Sequence, residues 1–263
     1  MRLYLLPPSF HGQPSLAVSG KDAQYLTRVL RLKQGQRLTG RDADGALWHL
    51  TIQEIGRDRC VLHCEPAEHM EATTDALPDY GGPLPRIVLF QCLCKGKKLE
   101  QIVRQATEIG ACRIVPVQSK HCVVDIFAKR KDAVEDRTAR LEAMVKEAVQ
   151  QSGSRIPTKV EPPIAFSDIP SYWGNRGLGL FFHQSIVEGQ LALTETVAAY
   201  RREHGQEAPV AVVIGPEGGL APEETTLLEQ AGFKPILLKT NILRAETAAV
   251  YALAAVQTIM TEA

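Results

Sequence analysis

The sequence predicts an α/β domain on a mostly parallel sheet, preceded by a small β-barrel. Three observations predict it. From Arg86 onward, apolar strand-like runs alternate with helical stretches, whereas before residue 70 the runs are short, alternate in polarity and end in Gly or Asp turns. Between the two parts, His69–Pro85 (HMEATTDALPDYGGPLP) carries three Pro, two Gly and no apolar period. That stretch reads as a linker, so the expected division is 1–70 (barrel), 71–85 (linker) and 86–263 (α/β domain). With 263 residues, 44% of them hydrophobic, the chain can bury a sizeable core.

Each element has its own warrant. Ala46–Ile52 and Cys60–Cys64 alternate apolar and polar residues next to turns such as Asp44-Gly45, so both are barrel strands, with one helix at Lys21–Leu30. Arg86–Cys94 is an apolar strand. Lys98–Ile109 puts Leu99, Ile102, Val103, Ala106 and Ile109 on one helical face and stops at Gly110. Arg113–Val117 is the next strand, and Arg137–Gln151 spaces Leu141, Met144, Val145 and Ala148 as a helix. Strand Gly177–His183, helix Glu188–His204 and strand Pro209–Ile214 follow. Pro222-Glu223-Glu224 opens a helix with Pro in its first turn and acids at its positive end. Strand Pro235–Lys239 then leads to a last helix, Ala245–Met260, apolar nearly all round, as for a helix buried on every face in a core or subunit interface.

Thirty basic side chains balance thirty acidic ones, which at first argues against a nucleic-acid partner. The balance is segregated, however. Residues 1–50 carry +4, 51–83 carry −5, 94–155 carry +5 and 156–263 carry −5. Two basic zones give a neutral chain a phosphate-facing surface. No window approaches the roughly 20 apolar residues of a membrane span, and the start MRLYLLPP is too short for a secretory apolar region, so the expected location is the cytoplasm. The six Cys alternate with Val, Leu and Ile and read as buried, reduced thiols. Cys60, His63, Cys64 and His69 do not make a metal site, because Cys60 and His63 point to opposite faces of a strand.

Two loops and a set of basic segments are candidates to carry chemistry. Val213-Ile214-Gly215-Pro216-Glu217-Gly218-Gly219 ends one strand just before a helix, where open α/β sheets place ligands, and its glycines let backbone groups approach a bound molecule. The plain alternative is a tight turn with a structural Glu217. Leu238-Lys239-Thr240-Asn241-Ile242-Leu243-Arg244-Ala245-Glu246 ends another strand and opens the last helix, placing Arg244 and Glu246 at its first turn. Here the alternative is an intrahelical or capping pair. Lys95-Gly96-Lys97-Lys98, Gln150–Arg155 and Thr27–Gly35 supply basic side chains at element ends, suited to phosphate or merely to a solvated face.

Taken together, VLRLKQGQ, KGKKLEQIVRQATEIGACRIVPVQS, QSGSRIP, VIGPEGG and ILRAETAA resemble the RsmE family over nearly the whole chain. These are the 16S rRNA (uracil-1498-N3)-methyltransferases of the SPOUT class. The resemblance implies an N-terminal PUA-like RNA-binding β-barrel, a SPOUT-type α/β domain with a deep trefoil knot, a homodimer through that domain, and S-adenosyl-L-methionine as cofactor. It implies 16S rRNA as partner, within the small ribosomal subunit. Residue by residue, the methyl-donor pocket falls on Ile214, Gly215, Pro216, Glu217, Gly218 and Gly219, and on Leu238, Lys239, Thr240, Asn241, Ile242 and Leu243. RNA-facing residues fall on Arg28, Arg31 and Lys33 in the barrel and on Lys95, Lys97 and Arg155 beyond it. The chain departs from the family pattern where Lys239 replaces a loop glycine, Gln150 a glutamate and His121 an arginine.

Methylation of uracil N3 requires its proton to leave as the methyl group arrives. From their position at the first turn of the helix directly after the donor loop, Arg244 is expected to stabilise the charge developing on the base, and Glu246 to orient Arg244 or, as the second choice, to take the proton. The target edge is the pairing edge, so the base must be unpaired or flipped out. Two other readings stay open: a non-catalytic RNA-binding or ribosome-assembly protein with a degenerate pocket, and a SPOUT methyltransferase acting on another RNA nucleotide.

Overall fold

The computed structural model describes residues 3–44, 46–67, 85–126, 131–154, 156, 158–183, 190, 192–238 and 240–262. The Cα framework divides into two compact units: residues 1–75 with 150–154, and the remainder. The expected linker lies outside the described residues except for Pro85.

The first unit holds β1 (Leu3–Leu5), β2 (Ser15–Ser19), α1 (Gly20–Gln24), β3 (Arg37–Arg41), β4 (Leu47–Ile55) and β5 (Arg59–Pro66). Its five-stranded sheet runs β1-β3-β4-β5-β2, antiparallel except for the β1–β3 pair. Period-two alternation sends Leu16, Val18, Leu50, Ile52, Cys60, Leu62 and Cys64 into one core with Tyr4 and Leu26. The helix expected at Lys21–Leu30 changes type halfway: α1 ends at Gln24 and Tyr25–Val29 is π-helical, with the Leu30 N–H donating to the Tyr25 carbonyl at 2.9 Å. Arg31 follows at φ 56°, a left-handed backbone that costs a non-glycine residue about 1–2 kcal/mol.

The second unit contains β6 (Ile87–Cys92), α2 (Lys98–Ile109), β7 (Arg113–Gln118), α3 (Lys131–Ser152) up to Val149, β8 (Lys159–Val160), β9 (Ile164–Ala165), α4 (Ile169–Trp173), β10 (Leu178–His183), α5 (Leu193–His204), β11 (Val210–Ile214), α6 (Pro222–Gln230), β12 (Lys234–Leu237) and α7 (Ala245–Glu262). Its sheet is parallel throughout, ordered β12-β10-β11-β6-β7-β8, with β9 pairing β7. Every residue of β6 and β11 is buried, as a parallel sheet covered on both faces requires. Val88, Phe90, Phe181 and Val213 meet Ile169, Trp173 and Leu228 from α4 and α6, while α7 packs on the opposite side with α2 and α5.

Within the single chain the last helix is buried on one face only. It buries a single stripe, Ala245, Ala249, Ala252, Leu253, Val256 and Met260, and leaves Tyr251 46% exposed. Ala248, Val250, Ala254, Ala255 and Ile259 stay half-buried because no element of the single chain covers them fully. Cys60, Cys64, Cys92, Cys94 and Cys112 are buried, as their apolar neighbours predict, whereas Cys122 is only half-buried.

Candidate functional site

The carboxyl ends of β10, β11 and β12 open into a cleft of about 930 Å³. That size suits a nucleoside-sized ligand. Phe182 and His183 end β10, Ile214 through Gly219 leave β11, and Leu237, Leu238, Thr240, Asn241, Ile242 and Leu243 leave β12. Register makes this one site: Phe182 pairs with Ile214 and also with Ile236, so the three strand ends stand level. Arg244, Ala245 and Ala248 close one side at the start of α7, and Lys98 of α2 closes another.

The glycine loop is shaped by close approaches. A Cβ on Gly215 would stand 3.2 Å from Leu220, and one on Gly218 would stand 3.0 Å from the His121 side chain. His121 donates through Nδ1 to the Gly219 carbonyl at 3.1 Å. Behind the loop, buried Glu224 accepts from the Ala221 N–H and from the Lys120 N–H, each at 2.8 Å, tying the segment after β7 to the start of α6. Lys120 and His121 therefore brace the loop from outside.

The rim is charged. Lys98 Nζ stands 2.9 Å from Glu217 Oε1 and 3.4 Å from Glu246 Oε2, and the Lys95 N–H reaches Glu217 Oε1 at 3.3 Å. Burial pushes the Glu217 carboxyl up, but the hydrogen bonds from Lys98 and from backbone N–H groups outweigh it and hold the group below its ordinary range. The same hydrogen bond to Glu217 raises the Lys98 ammonium. Beneath them Cys94 is buried, its thiol pushed up to about 12, first by desolvation and then by the Glu217 charge.

Of the pocket residues read from the sequence, Ile214, Gly215, Pro216, Glu217, Gly219, Leu238, Thr240, Asn241, Ile242 and Leu243 line the cleft. Gly218 does not; it packs on His121. Lys239 and Arg155 lie outside the described residues. Arg244 lines the cleft and is exposed, whereas Glu246 sits behind the wall and faces Lys98. That corrects the expected Arg244–Glu246 pairing: among the described residues the carboxylate's ion pair is with Lys98. Arg28, Arg31 and Lys33 are exposed at and just after the π-helical turn, beside Val29 at 66% exposure, and Lys95 and Lys97 are exposed just ahead of α2. His63 and Glu65 pair at 3.3 Å on the outer side of β5, away from buried Cys60 and Cys64. Among the described residues no group of three metal-ligating side chains converges.

Lys98, Phe182 and His183 join the pocket without having been expected there. The signal for the last two is their place at the end of a strand adjoining β11; for Lys98 it is the first-turn position on α2, visible only once the strand order is known.

Two domain families match the chain: an RNA methyltransferase domain over residues 82–257 and an RNA methyltransferase PUA domain over 18–63. Ribosomal RNA small subunit methyltransferase E of Aquifex aeolicus is 31% identical over 225 residues, covering 85% of this chain and 86% of that protein. The Synechocystis protein of the same name is 26% identical over 249 residues, covering 94% and 74%. Among solved structures, ribosomal RNA small subunit methyltransferase E from Neisseria gonorrhoeae bound to S-adenosyl methionine superposes with a TM-score of 0.76 at 24% identity, covering 98% of each chain. The match in sequence over both units, and to a relative of this identity, establishes that the chain belongs to the ribosomal RNA small subunit methyltransferase E family of RNA methyltransferases.

Proposed function

We propose that the chain transfers the methyl group of S-adenosyl-L-methionine to N3 of a uridine, of the 1498 type, in 16S rRNA of the small ribosomal subunit. The observation that carries this is the cleft itself. It combines apolar Ile214, Leu238, Ile242 and Leu243 with a loop that bears no side chain at Gly215 and Gly219, and it leaves Ile242 81% exposed at its edge. An adenine ring needs such an apolar slot with backbone partners, and a ring over Ile242 would take that side chain out of water. The residues present fit the donor. Bound there, it supplies an electrophilic methyl group on a cationic sulfonium.

The side chains do the rest. Arg244, exposed on the cleft wall, stabilises the negative charge that develops on a uracil oxygen as N3 loses its proton. Glu246 is committed to Lys98 and serves as a charge partner within the wall, so the proton is assigned elsewhere. Residues 1–70 hold RNA through Arg28, Arg31 and Lys33, and residues 86–263 through Lys95, Lys97 and Arg155. The half-buried outer face of α7, with Tyr251 exposed, suits a second copy of the chain. The reading further includes a trefoil knot around the donor loops and a cytoplasmic location.

Calorimetric titration with S-adenosyl-L-methionine tests the donor site; absence of binding at millimolar donor removes the enzyme reading in favour of a non-catalytic RNA-binding protein. Mass mapping of rRNA from a deletion strain tests the target; loss of a methyl group from a different nucleotide reassigns it. Arg244→Ala should bind donor and RNA like the parent while turnover in single-turnover assays falls about 100-fold or more.

A further inference from the structure

Three segments distant in the sequence meet at one rim of the cleft: the first turn of α2 (Lys98), the loop after β11 (Glu217) and the first turn of α7 (Glu246). Two carboxylates aim at one ammonium, at 2.9 and 3.4 Å. Glu217 belongs to the glycine loop, which is one wall of the cleft, and Glu246 to the turn that carries Arg244, Ala245 and Ala248, which is another. Glu246 is the more enclosed acid, 14% exposed against 30% for Glu217, and its Oε2 is a buried atom with no hydrogen-bond partner, so the Lys98 charge is what answers it. Glu217 is held a second time by the Lys95 N–H. Without the ammonium the two carboxylates would repel across the rim in a partly desolvated place.

We propose that Lys98 is a positioning residue: its ammonium clamps the Glu217 loop to the Glu246 turn and so fixes the width of the donor cleft without touching the reacting atoms. This rests on the donor-cleft reading above and adds to it a residue on a third element. A lone surface ion pair would contribute little. This cation instead bridges two walls through a carboxylate on each, and it lines the cleft itself.

The test is amide hydrogen exchange on the full-length chain without donor, at one pH, together with donor calorimetry. Lys98→Met should speed exchange about tenfold or more in residues 215–219 and 244–248 and leave the first unit's strands unchanged. Lys98→Arg should restore the parent pattern. The double variant Lys98→Met with Glu246→Gln should recover in part, because it removes the like-charge pair while the bridge stays absent. In calorimetry Lys98→Met should raise the donor Kd about tenfold, with full recovery in Lys98→Arg and partial recovery in the double variant. Unchanged exchange in both segments, or a rise that neither second variant reverses, overturns the clamp; so does an unaltered Kd in a parent that binds donor. If the parent binds no donor, the proposed function fails and the exchange data alone decide the clamp.

Discussion

Glu224 shows how one side chain sets a loop. Buried and accepting two backbone N–H groups at 2.8 Å each, it leaves both donors stranded if removed. Glu224→Ala should therefore cost about 2–4 kcal/mol, read as a lower urea midpoint, with Glu224→Gln recovering part of it. Glu217 makes a pH prediction. Its carboxyl is held below the ordinary range when folded, so its contribution is present above the unfolded value of about 4.3 and is lost as pH falls through the lower folded value. Acid unfolding followed by circular dichroism should show a shallower loss of stability below about pH 4 in Glu217→Gln than in the parent. At this scale the glycine loop was legible from its composition, but the close neighbours of positions 215 and 218, Leu220 and His121, were not. Lys98 was not legible as a pocket residue. In the sequence it is one lysine of a basic cluster, and its partners lie on elements far along the chain.

Elements were legible in proportion to their length. The α2 helix occupies the expected Lys98–Ile109 because its apolar stripe and Gly110 state both face and end, and Gly110 takes the left-handed φ of 107° that stops it. By contrast β8 and β9 have two residues each, too few for any period, and α3 begins at Lys131 rather than Arg137 because its first turns carry charge instead of a stripe. The π-helical turn at Tyr25–Val29 is invisible to a pattern that assumes one helical period. Strand spacing gives a sharp test at the entry to β10. A Cβ on Gly177 would overlap the Pro209 carbonyl oxygen, a backbone atom that cannot swing aside. Gly177→Ala should destabilise by about 2 kcal/mol or more in chemical denaturation, whereas Gly205→Ala, with open space around its φ of 83°, should lose only about 1 kcal/mol.

Across the whole molecule, a net charge of zero conceals basic zones at 1–50 and 94–155, and Arg28, Arg31, Lys33, Lys95 and Lys97, proposed to meet RNA, are exposed. Changing Arg28 and Arg31 to Glu should weaken binding to a small-subunit rRNA fragment and flatten the slope of log affinity against log salt by about one to two, while donor affinity stays at the parent value; filter binding at several salt concentrations measures it. The fold class was legible because alternating strands and helices admit few architectures, while the order of the strands was not, since each pairing joins segments with no local signal between them. That order has a consequence in time. Ile87 of the central strand β6 pairs with Val210 of β11, almost half the chain later. At a synthesis rate of about 5–20 residues per second, a nascent chain therefore carries one bare apolar edge of β6 for on the order of ten seconds before its partner exists.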